Sequence, residues 1–147
     1  MKQVLLIPLV LIVLRASAVP VEHRIECPRE VSKETLEVKQ APKGWTGFVP
    51  FEYEPALPLN DAGLMWGPPS SMTISKPPWI GRIKGRDAMR WPDLEGKESG
   101  EKWMACFYGE NGHRDVILST RLDDNATECT VTYPKKRGGA IDITCKW

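Results

Sequence analysis

Thr127-Glu128-Cys129-Thr130-Val131-Thr132-Tyr133, then Pro134-Lys135-Lys136-Arg137-Gly138-Gly139, then Ala140-Ile141-Asp142-Ile143-Thr144-Cys145-Lys146 is the stretch that decides the fold. Cys129, Val131 and Tyr133 alternate with Thr130 and Thr132, and Ile141, Ile143 and Cys145 alternate with Asp142 and Thr144. A period of two with one apolar side is a strand lying half-buried on a core. The intervening segment holds two glycines free to take positive φ, so the two strands read as a hairpin. Folded about Arg137, the hairpin sets Tyr133 opposite Ile141, Val131 opposite Ile143 and Cys129 opposite Cys145. The register therefore proposes a disulfide between Cys129 and Cys145, and leaves Cys27 for Cys106. The rival pairing Cys106 with Cys129 would instead join two neighbouring strands across the loop near Asp123.

Disulfides need an oxidising compartment, and the N-terminus supplies the route to one. Lys2, the apolar run from Val4 to Leu14 and the small residues Ala16-Ser17-Ala18 have the three-part layout of a secretory leader, cut after Ala18. The apolar run falls short of the roughly 18 residues that span a membrane, so no stable membrane insertion is expected once residues 1–18 are gone. What remains, residues 19–147, has the size of one domain. Losing Lys2 and Arg15 takes two from the 20 basic residues, leaving a formal charge of −1 against 19 acidic ones. Such a balance selects no polyanion, and nucleic acid is not an expected partner.

Short strand-like pieces separated by turn residues continue through the exported part. Candidates are 24–27, 34–39, 47–53, 62–66, 72–75, 80–84, 102–108, 116–120, 127–133 and 140–146, and helix is confined to a turn or two. The 12 glycines and 13 prolines leave no stretch with a helical period over three turns. The expected fold is all-β, a small antiparallel sandwich or barrel-like domain with two disulfides.

Chemistry-bearing patterns are sparse. No Cys-x-x-Cys, zinc-protease, nucleophile-elbow or phosphate-loop motif occurs, and His23 and His113 both read as surface residues. No metal and no cofactor is expected. Acidic neighbours such as Glu52 with Glu54, Asp123 with Asp124, or Asp87 would serve a carboxylate hydrolase only if two of them converged in a cleft. Six tryptophans stand out more. Trp45 and Trp103 lie in strand-like contexts and read as core, whereas Trp66, Trp79 and Trp91 are flanked by Pro, Gly or Arg. Between Lys76 and Arg90 lie Lys76, Arg82, Lys84, Arg86 and Arg90 against Asp87 alone. Tryptophan and arginine are the residues that anchor partners, so a binding surface is expected on Trp66, Trp79, Arg82, Arg86 and Trp91. The alternative is that these tryptophans plug the ends of the domain.

Cys27-Pro28, Pro42-x-Gly44-Trp45, Gly67-Pro68-Pro69, Trp103-x-x-Cys106-x-Tyr108, Cys129-x-Val131-x-Tyr133 and the closing Cys145 occur in that order over nearly the whole exported chain. In this the sequence resembles a family of short, exported proteobacterial proteins of unknown function, named after a typhoid-Salmonella locus. The resemblance implies a periplasmic or secreted location in a Gram-negative bacterium and the four-cysteine framework, and brings no activity or catalytic residue. Three functional readings follow. The first is a non-catalytic module that binds an envelope macromolecule, protein or glycan. The second is an inhibitor of a secreted hydrolase, and the third a carboxylate-dependent hydrolase.

Overall fold

The computed structural model describes residues 19–44, 46–50, 55–95, 100–136 and 138–147. The expected leader, Trp45, Glu52, Glu54 and the turn residue Arg137 fall outside them. Among the described residues nine strands form two antiparallel sheets: β1 (Glu22–Ile25), β2 (Glu30–Ser32), β3 (Ala56–Trp66), β4 (Trp79–Ile83), β5 (Arg86–Trp91), β6 (Lys102–Tyr108), β7 (Val116–Arg121), β8 (Glu128–Thr132) and β9 (Asp142–Lys146). One sheet has the order β1-β9-β8-β5-β4 and the other β2-β3-β6-β7. Helix among the described residues is limited to two 3-10 turns, Lys33–Thr35 and Pro69–Ser71. The all-β antiparallel class read from the sequence is the class observed.

The terminal hairpin has the expected register, with Cys129 opposite Cys145 and Val131 opposite Ile143. Both expected disulfides are present, Cys27–Cys106 and Cys129–Cys145, and no described cysteine is free. The inward faces of β3, β6, β5, β8 and β9 meet in one core containing Leu64, Met104, Trp91, Val131, Ile143 and the Cys129–Cys145 pair. A second cluster, Leu57, Cys106 and Tyr108, is covered by Cys27, Val31 and Leu36. Tyr108 donates its hydroxyl to the carbonyl of Pro28 at 2.9 Å, so bond and disulfide together hold the chain after β1 against the other sheet.

Several expected strands differ. Segment 34–39 has alternation but no ladder and begins with the 3-10 turn. Segment 72–75 contributes only an isolated bridge between Met65 and Ile74. Residues 47–50 carry no strand, and 51–53 lie outside the described residues. Strand 62–66 proves to be the second half of the longer β3, interrupted by a bulge between Leu59 and Asp61. β5 matches no candidate strand, because charged Arg86, Asp87 and Arg90 obscure its alternation.

Buried or half-buried cations close the ends of strands. Lys102, 3% exposed, donates its ammonium to the carbonyls of Asp124 and Ala126 at 2.8 and 3.0 Å. Arg86 donates to the carbonyls of Tyr133 at 2.8 Å and Thr132 at 3.2 Å and pairs with Asp142, which also pairs with Arg24 at 2.7 Å. Hydrogen bonding from Arg86 holds the Asp142 carboxyl below the usual carboxylate range, more than offsetting partial desolvation, with Arg24 adding to the effect. A depressed folded-state pKa contributes stability that is present above the unfolded value near 4 and is lost as pH falls through the folded value. Asp142→Asn is expected to cost about 1 kcal/mol at pH 7, the upper end for surface pairs. Urea midpoints of wild type and variant should converge as pH falls through the lowered folded-state value of Asp142; a gap that persisted in strong acid would assign the loss to packing instead.

Candidate partner-binding surface

β4 and β5 are joined by Lys84 and Gly85, both at positive φ (49° and 73°), the two-residue turn whose twist suits a tight hairpin. In such a hairpin the flanking residues Ile83 and Arg86 exchange both backbone hydrogen bonds, and alternate pairs repeat this along the ladder. The register pairs Ile83 with Arg86, Gly81 with Ala88 and Trp79 with Arg90. Ile80 and Arg82 consequently direct their backbone N–H and C=O away from β5. An independent bond agrees with this phase: the carbonyl of Asp87, opposite Arg82, accepts from the Tyr133 amide on the β8 side. β4 is the last strand of its sheet, so its outer backbone groups meet no neighbouring strand.

Side chains on this edge are unusually apolar for an exposed strand. Ile80 is 73% and Trp79 38% exposed, on opposite faces of β4. The Trp79 indole lies along its own strand over Gly81, where a Cβ would come within 2.6 Å of the ring, so glycine is what lets the ring lie flat. The Arg90 guanidinium carbon stands 5.4 Å from the Trp79 ring centroid, a cation–π contact. The Nε of Arg90 is buried without a hydrogen-bond partner. Arg82 pairs with Asp87 at 3.0 Å, both side chains more than 70% exposed.

The five residues singled out in the sequence do not form one patch. Trp79 and Arg82 lie on the exposed edge strand, pointing to opposite faces. Arg86 is on the Trp79 face, but its guanidinium is committed to β8 and Asp142. Trp66 is half-buried against the core, and Trp91 is 2% exposed, inside it. Trp91 faces inward because it pairs with Cys129 on the apolar side of β8, so the surface expected there does not include it. Trp103 is half-buried on the outer side of β6, donating to Glu101 at 3.2 Å.

Two further features had no sequence signal. Asp61, at the β3 bulge, accepts the Tyr133 hydroxyl and the Arg114 guanidinium, the latter at 3.2 Å. Burial first, then the bond to Asp61 and its charge, push the Tyr133 phenol far above the ordinary tyrosine range, leaving it a neutral donor. This network stitches the exit of β8 to β3 across 72 residues of sequence. Beside it an open cleft of about 510 Å³ is lined by Asn60, Gly109, Tyr133, Pro134, Gly139 and Ile141. Of the acids considered for hydrolysis, Glu52 and Glu54 lie outside the described residues, Asp87 pairs with Arg82 on the β4–β5 hairpin, Asp123 accepts from Asn125, and Asp124 pairs with Arg121. Among the described residues no three His, Cys, Asp or Glu converge on a metal position, and no helix is long and apolar enough to cross a membrane.

The family model of the type VI secretion system Tli immunity protein matches residues 54–146, which hold β3 to β9. The chain belongs to that family. Membership places this Tli-family chain among small bacterial proteins, the level at which the motif resemblance stands. No curated protein and no solved structure matches it. The β4–β5 hairpin lies inside the matched region, whereas β1, β2 and Cys27 precede it.

Proposed function

We propose that the exported chain is a periplasmic immunity protein that binds a type VI effector and prevents it from acting, using the exposed β4 edge as its principal contact. Family membership over residues 54–146 carries this reading. Two disulfides support an oxidising location, and the leader pattern of residues 1–18 supplies the export. The reading is nearest to the inhibitor expected from the sequence, since immunity is achieved by binding. Trp79 and Arg82 act as anchors: a large rigid ring and a directed cation are the side chains that lose most when truncated at interfaces.

The test is to express type VI effectors of the source bacterium in the periplasm of a susceptible host, with and without this chain. At least one effector should lose its toxicity when the chain is present, and form an isolable complex with it. Trp79→Ala combined with Arg82→Ala is expected to weaken that complex about 30-fold or more, the effect of losing one hot spot of about 2 kcal/mol. If none of the effectors is neutralised, the immunity reading fails. If the double variant protects and binds as well as wild type, the contact lies elsewhere.

A further inference from the structure

We infer that the effector docks by adding an extended, acid-bearing segment as a new strand on the open edge of β4. This rests on the immunity reading and names its mode of contact. Strand addition needs an edge with unpaired backbone groups and side-chain positions that select the incoming strand. β4 supplies the first through Ile80 and Arg82, whose N–H and C=O point outward. It supplies the second through Ile80 on one face and Trp79 on the other, the most exposed large apolar side chains on any strand apart from Leu118 of β7, which equals Trp79 at 38%. Edges with such exposure are normally blunted, and here only charge does that work.

The charge also selects the occupant. Arg82 lies on the β4 edge and Lys84 in its turn, Asp87 pairs with Arg82, and Arg90 on the Trp79 face has an Nε without a hydrogen-bond partner. The Arg82–Asp87 pair is highly exposed and therefore readily exchanged for a partner's carboxylate. A second copy of this chain fits poorly, because antiparallel pairing of two β4 edges would bring both sets of Arg82 and Lys84 onto one seam. An incoming strand with acids on alternate positions sets them on the face of Arg82 and leaves its apolar positions for Trp79 on the other face.

The mode is tested with a seven-residue peptide of alternating valine and glutamate, added at millimolar concentration to the isotope-labelled domain. Amide shifts and slowed amide exchange should concentrate on Ile80 and Arg82, and the valine–lysine analogue should bind at least tenfold more weakly. Ile80→Pro removes one outward N–H that makes no ladder bond to β5, a place where an edge strand tolerates proline. It should abolish peptide binding and lower affinity for the neutralised effector at least tenfold, with the amide spectrum of β8 and β9 unchanged. Arg82→Glu, which leaves the backbone intact, should reverse the preference between the two peptides. No peptide binding, shifts centred away from β4, equal affinity for both peptides or unreversed preference in Arg82→Glu would each overturn strand addition. Should Ile80→Pro protect as well as wild type, strand addition falls while the immunity reading stands. Failure of the wild-type chain to neutralise any effector removes both.

Discussion

Trp91→Ala is expected to lower the unfolding free energy by about 3–5 kcal/mol, the range for removing a fully buried large aromatic. Trp91 ends β5 on its inward face, opposite Cys129, and its indole extends toward the glycine at position 63 of β3, where an added Cβ would lie 3.9 Å from the ring. Truncation would empty the core between the two sheets at a point already anchored by a disulfide, which limits how far the walls can collapse. The indole N–H has no hydrogen-bond partner. Trp91→Phe removes that unsatisfied donor while keeping most of the ring, so it should cost less than half as much as Trp91→Ala. Urea unfolding of the oxidised domain measures both; a loss below about 1 kcal/mol for Trp91→Ala would contradict the packing described.

The contrast between β8–β9 and β4–β5 shows what local sequence carries. The terminal hairpin was legible because Cys129, Val131, Ile143 and Cys145 keep strict alternation against threonines, and burial of one face fixes register. The same pattern named its disulfide. In β5 only Met89 and Trp91 mark the inward face, while Asp87 sits on that same face at the uncovered end of the hairpin. Its turn is equally obscure, because Lys84 adopts positive φ where Asn or Gly would have signalled it. Missing β5 also misplaced the candidate surface: without its register nothing separates inward Trp91 from outward Arg90. The Asp61–Tyr133–Arg114 network is illegible for another reason. Its members come from β3, the β8 exit and the loop before β7, and only the packing of both sheets brings them together. At 34–39, alternation without a neighbouring strand gave no strand, since an isolated ribbon gains too little to offset its ordering.

Removing the Cys27–Cys106 disulfide is expected to destabilise the domain by about 4–5 kcal/mol, against about 3 kcal/mol for Cys129–Cys145, when each pair is replaced by alanine. The difference begins in the unfolded chain. Cys27 and Cys106 are separated by 79 residues and Cys129 and Cys145 by 16, so the first bridge removes more freedom from the open state. The folded state adds to it. Cys129 and Cys145 are register partners in β8 and β9, whose ladder holds them together without the bridge. Cys27 follows β1 in one sheet and bonds Cys106 of β6 in the other, beside the Tyr108–Pro28 hydrogen bond and the covering residues Val31 and Leu36. A loss of 4–5 kcal/mol is a large share of the 5–15 kcal/mol typical of a domain. The Cys27→Ala/Cys106→Ala variant should therefore unfold at far lower urea, with amide exchange in β2 accelerating before that in β8. Equal midpoints for the two variants, or a costlier loss of Cys129–Cys145, would show that neither loop length nor the link between sheets sets the hierarchy.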